Sequence, residues 1–93
     1  MRRHWRVFLT AGAALAVISA EALAWDKEEY CRNYAGMATG SARENIRLHC
    51  GFGGLRYTTD WRDHFGWCMS VDRAAAEREH EIRRHDMIAC NRH

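Results

Sequence analysis

The sequence of 93 residues lacks proline, internal repeats and any stretch in which apolar and polar residues alternate. Alternation is the pattern of a half-buried β-strand, so its absence argues against a sheet. Apolar residues recur instead at helical spacing in three separate stretches. We therefore predict an all-α fold.

Catalytic and metal-binding motifs are also missing from the sequence. No Gly-x-Ser-x-Gly elbow is present to position a nucleophile. None of the compact paired-ligand spacings of zinc modules occurs either. We therefore predict no catalytic residue, no metal ligand and no cofactor, and we expect the protein not to be an enzyme.

The first residues have the pattern of a secretory signal peptide. Three arginines precede an apolar run over residues 7–18, and Ala22-Leu23-Ala24 forms a small-residue cleavage site. The apolar run is shorter than the roughly 20 residues of a membrane-spanning helix. We predict a signal peptide over residues 1–24, a single mature domain over residues 25–93, a periplasmic or secreted location, and no stable membrane span after cleavage.

The mature chain carries no excess of either charge. The full sequence has 14 basic and 12 acidic residues, and the predicted signal peptide contains Arg2, Arg3, Arg6 and Glu21. Residues 25–93 therefore retain 11 residues of each sign. A nucleic-acid-binding domain normally presents a basic face, so we predict no nucleic-acid partner.

Four widely spaced cysteines predict two disulfides in an exported domain too small to be stabilised by its core alone. Helical spacing predicts helices over about residues 27–48, 60–69 and 71–90. A break near Gly40-Ser41 in the first helix is an alternative. Asp26, Thr58 or Thr59, and Ser70 are the expected N-caps of the three helices.

The predicted helices restrict how the cysteines can pair. Sequential pairing would join helix ends roughly 28 and 33 Å apart, whereas a disulfide needs Cα atoms within about 7 Å. Nested pairing, Cys31 with Cys90 and Cys50 with Cys68, places the two longer helices antiparallel, and we predict this arrangement. Crossed pairing, Cys31 with Cys68 and Cys50 with Cys90, requires parallel helices and stays open.

The segment from Cys50 to Cys68 contains most of the bulky apolar side chains. We predict that its aromatic residues form the core: Phe52, Tyr57, Trp61, Phe65 and Trp67. The alternative is a ligand pocket, because arginine stacks on aromatic rings and tryptophan often dominates binding energy. The candidate binding residues are Arg56, Tyr57, Trp61, His64 and Trp67.

The first predicted helix has a broader apolar face than the last. In the first helix the predicted buried face is Cys31, Tyr34, Ala35, Ala38, Ala42, Ile46 and His49. In the last helix it is a thin stripe of Val71, Ala75, Ile82 and Ala89. The charged residues between them are expected to face water, with Glu79 and Arg83 forming an i,i+4 ion pair.

Several motifs resemble a family of small exported bacterial proteins with four cysteines and no established activity. They are Cys31-x-x-Tyr34-Ala35, Cys50-Gly51-Phe52-x-Gly54-x-Arg56-Tyr57 and His64-x-x-Trp67-Cys68. Where that family often has Gly-Pro-Arg-Trp, this chain has Gly54-Leu55-Arg56-Tyr57. The resemblance implies a periplasmic or extracellular location.

Two further site hypotheses are weaker. His64 and Cys68 are spaced i,i+4, as are Asp86 and Cys90, and His49 adjoins Cys50. Zinc accepts ligands of these types. His64 with Asp60 or Asp63 could form an acid–base pair, but no nucleophile accompanies it.

Taken together, the sequence predicts a non-enzymatic binding or envelope-associated protein whose partner is a protein or small molecule of the envelope. A periplasmic stress or metal-handling factor is the alternative.

Overall fold

The computed structural model describes residues 25–92, so the predicted signal peptide lies outside the described residues. Three α-helices form: α1 over Lys27–Arg47, α2 over Trp61–Ser70 and α3 over Arg73–Asn91. A short 3-10 helix, Leu55–Tyr57, precedes α2. These residues contain no strand, which confirms the all-α class.

The three α-helices begin at aspartate caps. The Asp26 carboxylate accepts a hydrogen bond from the Glu29 backbone N–H at 3.2 Å, as predicted for α1. The other two predicted caps are wrong: Asp60 caps α2 and Asp72 caps α3. An aspartate lies within two residues of each predicted Thr or Ser cap, and its charge also suits the positive end of the helix dipole.

Two residues after α1 ends, the backbone adopts a left-handed conformation. His49 has a φ of 56°, a conformation that glycine usually provides at this position. The His49 N–H donates to the Ile46 carbonyl, and the Cys50 N–H donates to the Asn45 carbonyl at 3.0 Å. This pair of bonds is the Schellman arrangement, which stops the helix before the glycines that follow.

The disulfides are crossed, so the nested pairing is wrong. Cys31 bonds to Cys68 and Cys50 bonds to Cys90, with Cα separations of 5.6 and 5.7 Å. All four cysteines are used, as predicted. Two structural disulfides are typical of proteins from oxidising compartments.

The two long helices run parallel, contrary to the antiparallel prediction. At one end, the Lys27 ammonium donates to the Val71 carbonyl at 2.8 Å, and the Arg73 guanidinium lies 5.4 Å from the centre of the Tyr30 ring. At the other end, the Cys50–Cys90 bond joins the carboxyl ends of α1 and α3.

The connecting segment explains this direction. Helix α2, with 10 residues, covers only about 15 Å. After α1 ends, the segment over residues 48–60 leads the chain part of the way back along α1, and α2 covers the remaining distance. The chain therefore returns to the amino end of α1 before α3 begins, and α2 runs antiparallel to both long helices.

The core consists mainly of small side chains. Helix α1 packs closely through its buried alanines, with Cys31, Tyr34 and Ala38 meeting Cys68 and Ala76. The buried apolar residues are Cys31, Tyr34, Ala35, Ala38, Ala42, Tyr57, Cys68 and Ala76. Because these side chains bury little surface each, the disulfides carry an unusual share of the stability.

The predicted aromatic core is largely wrong. Of its five members only Tyr57 is buried, while Phe52 and Phe65 are half-buried. Trp61 and Trp67 are each 38% exposed. The core is built instead from small side chains and Tyr34, and Phe65 is only packed against it.

The buried face of α1 also differs at its carboxyl end. Ile46, predicted to be buried, is 63% exposed, and Asn45 is buried in its place. The Asn45 side chain donates to the Phe52 carbonyl and accepts from the Phe52 N–H. A polar contact with the following loop therefore replaces the expected apolar one.

No helix within residues 25–92 is long and apolar enough to cross a membrane.

Candidate functional site

The inner face of α3 is polar. Ala76 and Arg83, seven residues apart, are its buried members. Partly buried positions on the same face are Glu79, His80, Asp86, Met87 and Cys90. The predicted stripe is therefore displaced: Val71 and Ala75 are only half-buried, Ile82 is 39% exposed and Ala89 is exposed.

Arg83 is the central residue of this face. Its side chain is only 3% exposed. Its Nε donates to the Arg56 carbonyl at 3.2 Å, and Nη2 donates to the Tyr34 hydroxyl. The guanidinium carbon also lies 4.8 Å from the centre of the Tyr34 ring, a cation–π distance.

The third nitrogen of Arg83 has no partner. Nη1 is buried and makes no hydrogen bond with any residue of the described chain. The predicted ion pair with Glu79 does not form, and none of the ion pairs within residues 25–92 involves Arg83. A guanidinium stays charged in proteins, and burying it without a contacting opposite charge is costly. Glu79 is close enough for Arg83 to help lower its pKa, but the two side chains form no ion pair.

Glu79 pairs with Arg56 instead. Arg56 Nε and Nη2 donate to the two carboxylate oxygens of Glu79 at 2.7 and 3.0 Å. The hydrogen bond from Arg56 holds the pKa of Glu79 below its usual value. This bidentate contact ties the 3-10 helix to α3 and satisfies both charges.

Tyr57 attaches the same 3-10 helix to α3 at a second point. Its hydroxyl donates to Asp86 at 2.9 Å, and its ring stacks on Phe52 with centroids 5.1 Å apart. Burial, together with the hydrogen bond to Asp86, raises the pKa of the Tyr57 hydroxyl. Tyr57 therefore joins the 3-10 helix to α3 and to the Phe52 ring.

His64 is a buried structural residue as well. It is 3% exposed, and its Nε2 lies 2.7 Å from the Thr58 carbonyl oxygen. A carbonyl can only accept, so Nε2 carries the proton of this bond. The bond holds the start of α2 against the end of the 3-10 helix.

A cleft of 360 Å³ opens between α1, the 3-10 helix, α2 and α3. Its lining combines aromatic, aliphatic and charged side chains: Tyr34, Leu55, Arg56, Asp63, His64, Trp67, Glu79 and Arg83. Trp67 stacks on Tyr34 with ring centroids 5.7 Å apart, while Leu55 is 81% exposed. We call this feature the Arg83 cleft. Its size lies at the lower end of the range for small-molecule sites.

The structure brings together three of the five predicted binding residues. Arg56, His64 and Trp67 line the Arg83 cleft. Tyr57 is buried against Asp86, and Trp61 stacks on Phe65 with centroids 4.9 Å apart, outside the cleft lining.

The sequence prediction missed the residues of α1 and α3 that complete the cleft. These are Tyr34, Glu79 and Arg83, together with Leu55 and Asp63 from the intervening segment. The seven-residue spacing of Ala76, Arg83 and Cys90 was the available signal for α3. Apolar periodicity does not include Arg83, because the residue is charged.

The zinc hypothesis loses its thiol ligands, because Cys68 and Cys90 are both in disulfides. Within residues 25–92, no group of three or more histidine, cysteine or acidic side chains is placed to hold a metal ion. The acid–base hypothesis gains no support from the hydrogen bonds: His64 Nε2 bonds the Thr58 carbonyl, while Asp63 accepts from the Thr58 hydroxyl and Asp60 accepts from the Arg62 N–H.

Comparisons with family models, curated proteins and solved structures find no match to this chain. The resemblance to the four-cysteine exported family therefore stays a prediction. What the protein does has to be argued from the Arg83 cleft itself.

Proposed function

We propose that this chain is a non-enzymatic binding protein of the cell envelope or extracellular space, and that its ligand occupies the Arg83 cleft. The observation that carries the proposal is a buried guanidinium with one unpartnered nitrogen at the wall of an open cleft. Native proteins rarely leave a buried charge without a partner. A bound ligand would supply that partner.

The surroundings of Arg83 support binding rather than catalysis. The remaining charged groups of the cleft are already engaged: Arg56 with Glu79, and Asp63 with the Thr58 hydroxyl at 3.0 Å. Trp67 offers a partly exposed ring beside them. A charged anchor next to an aromatic wall is the usual composition of a small-ligand site.

The proposed location rests on one sequence feature and one structural feature. The signal-peptide pattern precedes the domain, and the domain itself contains two disulfides. Such bonds persist in the periplasm and outside the cell. We propose on the same grounds that the chain belongs with the four-cysteine exported proteins that its motifs resemble.

The test is a ligand screen by NMR on the oxidised mature protein. The library should contain small acids, amines, amides and neutral aromatics, and backbone amide signals should be followed for residues 25–92. Any member of the library that binds in the cleft is expected to shift the signals of Tyr34, Trp67 and Arg83 together. No shift at these residues from any class would contradict the proposal.

Two variants provide the matched comparison. Arg83→Met should lose or strongly weaken the cleft-directed shifts, whereas Arg84→Met should retain them. Arg84 is the adjacent residue but is half-exposed and paired with Glu81 on the outer face of α3. Equal losses in both variants would indicate a general effect on the helix and would count against a site at Arg83.

A further inference from the structure

We infer that the Arg83 cleft selects a small organic monocarboxylate with an aromatic or other apolar body. This inference rests on the proposed binding function and specifies the ligand's chemistry. It follows from the number of free charges in the cleft and from the walls beside them.

The cleft offers one unpaired positive group. Arg56 is also in the lining, but its guanidinium is held in a bidentate contact by Glu79. Glu79 remains ionised at neutral pH because Arg56 keeps its pKa below the usual value. Only Arg83, with its buried and unpartnered Nη1, is left to hold an anionic group.

The two carboxylates in the lining restrict the charge of that group. Asp63 and Glu79 both belong to the cleft wall. A phosphate monoester carries about 1.5 to 2 negative charges at neutral pH. It would be repelled by both carboxylates, and Arg83 alone would offset its charge. A carboxylate carries a single charge and matches the planar donors of a guanidinium.

The walls favour an apolar body attached to that carboxylate. The Trp67 ring is 38% exposed and the Leu55 side chain is 81% exposed, and both line the cleft. Apolar surface removed from water at these side chains would favour binding. The 360 Å³ of the cleft suits a small molecule rather than a folded partner.

A cationic ligand is disfavoured by the same arrangement. Both oxygens of Glu79 already accept hydrogen bonds from Arg56, and one oxygen of Asp63 accepts from Thr58. The buried Arg83 charge would also repel a second cation.

Three matched probes test the inference by calorimetry on the oxidised mature protein: phenylacetate, phenylacetamide and phenyl phosphate. They share the ring and differ in the charged group. Phenylacetate is expected to bind at least about tenfold more tightly than the amide, because only the acid makes a charge-assisted hydrogen bond to Arg83. It should also bind more tightly than phenyl phosphate.

Arg83→Met should abolish the preference for the acid over the amide. Because this substitution removes two structural hydrogen bonds and could impair folding, Glu79→Gln provides an independent test. It releases Arg56 and removes one negative charge from the cleft wall, so it should improve binding of phenyl phosphate relative to phenylacetate. Glu81→Gln, on the exposed face of α3, should leave that ratio unchanged.

The possible results separate the inference from the proposed function. Equal calorimetric affinities for acid and amide, with NMR signal shifts still centred on Tyr34 and Trp67, would overturn charge selection. The cleft would still be a ligand site in that case. Tighter binding of phenyl phosphate than of phenylacetate to the unsubstituted protein would also overturn the inference. Absence of cleft binding by all three probes and by every class in the screen would overturn both.

Discussion

At the scale of single residues, buried polar side chains hold this molecule in shape where larger proteins use apolar ones. Asn45 closes the loop after α1, Arg83 joins α3 to α1 and to the 3-10 helix, and Tyr57 joins the 3-10 helix to Asp86. Each contact needs a specific partner, so substitutions at these residues should be costly even though little apolar surface is lost.

The buried Asn45 provides the first prediction. Asn45→Ala removes both side-chain bonds to Phe52, the donor bond at 2.8 Å and the acceptor bond at 3.0 Å. It leaves two backbone groups of Phe52 to find other partners, and we expect a loss of about 1–3 kcal/mol in unfolding free energy. Urea denaturation measures this loss.

Asn33→Ala is the matched control, because Asn33 is exposed on the same helix. It should change the unfolding free energy by less than about 0.5 kcal/mol. Similar losses in the two variants would show that the loop contact contributes nothing.

The second prediction concerns the pH dependence of the Arg56–Glu79 pair. The folded-state pKa of Glu79 is lowered from its ordinary value of 4.5, so the pair stabilises the fold above that pH. The stabilisation should be lost as the pH falls through the lower folded-state pKa. Since Arg56 is 40% exposed and Glu79 25% exposed, the effect should not exceed about 1 kcal/mol.

Unfolding free energies of the unsubstituted protein and of Glu79→Gln should therefore converge as the pH falls below 4.5, the ordinary pKa of the Glu79 carboxyl. In an Arg56→Met background, Glu79→Gln should show no such convergence, because the partner of the carboxylate is already absent. A difference that stays constant with pH in the presence of Arg56 would contradict the prediction.

At the scale of helices, short polar caps determine where each element begins. The Asp72 carboxylate accepts from the Ala75 N–H at 2.8 Å, while the hydroxyl of Ser70, predicted to cap α3, donates to the Trp67 carbonyl at the end of α2. The two residues therefore serve different helices. The turn between α2 and α3 is correspondingly tight, and it fixes their antiparallel direction.

The third prediction separates these two roles. Asp72→Ala should lower the unfolding free energy by about 1 kcal/mol through loss of the N-cap. Ser70→Ala should cost less, since its exposed hydroxyl bonds a carbonyl that water can also reach. A larger loss from Ser70→Ala in thermal or urea unfolding would show that the α3 cap had been assigned to the wrong residue.

At the scale of the whole molecule, the two disulfides act at opposite ends. Cys31–Cys68 joins the amino end of α1 to the last turn of α2, and Cys50–Cys90 joins the carboxyl ends of α1 and α3. Together they fix α1 to both of the other helices. The core between them is thin and consists mainly of alanine. Each disulfide therefore contributes stability that side-chain packing does not supply.

The fourth prediction is the relative weight of the two bonds. Their sequence separations of 37 and 40 residues are nearly equal, and the chain-entropy relation gives about 4 kcal/mol for each. Cys31 and Cys68 are 0% and 1% exposed, whereas Cys50 and Cys90 are half-buried. Replacing the first pair by alanine should therefore cost more, because buried packing is lost as well.

Denaturation of the two double-alanine variants measures this difference. Non-reducing tryptic mapping of the unsubstituted protein is the accompanying check, since Arg43, Arg47, Arg56, Arg62 and Arg73 separate the cysteines. A peptide joining Cys31 to Cys90 would contradict the crossed pairing. An equal or larger loss from the Cys50 and Cys90 pair would contradict the predicted order.

The helices could be predicted from the sequence, because their patterns are local. Helical spacing gave all three α-helices to within about two residues of their observed bounds, and the Asp26 cap followed from its position before the first turn. The even number of cysteines gave two disulfides. Arg56, His64 and Trp67 could be identified as candidate site residues because they cluster with the aromatics between Cys50 and Cys68.

The pairing of the cysteines, the direction of α3 and the composition of the site depend on contacts between distant parts of the chain. Pairing depended on how far the segment over residues 48–60 carries the chain, which no local pattern records. Arg83 looks in the sequence like one more solvated charge in a polar helix. It is buried because the Arg56 carbonyl and the Tyr34 hydroxyl, 27 and 49 residues away in the chain, meet its guanidinium in space.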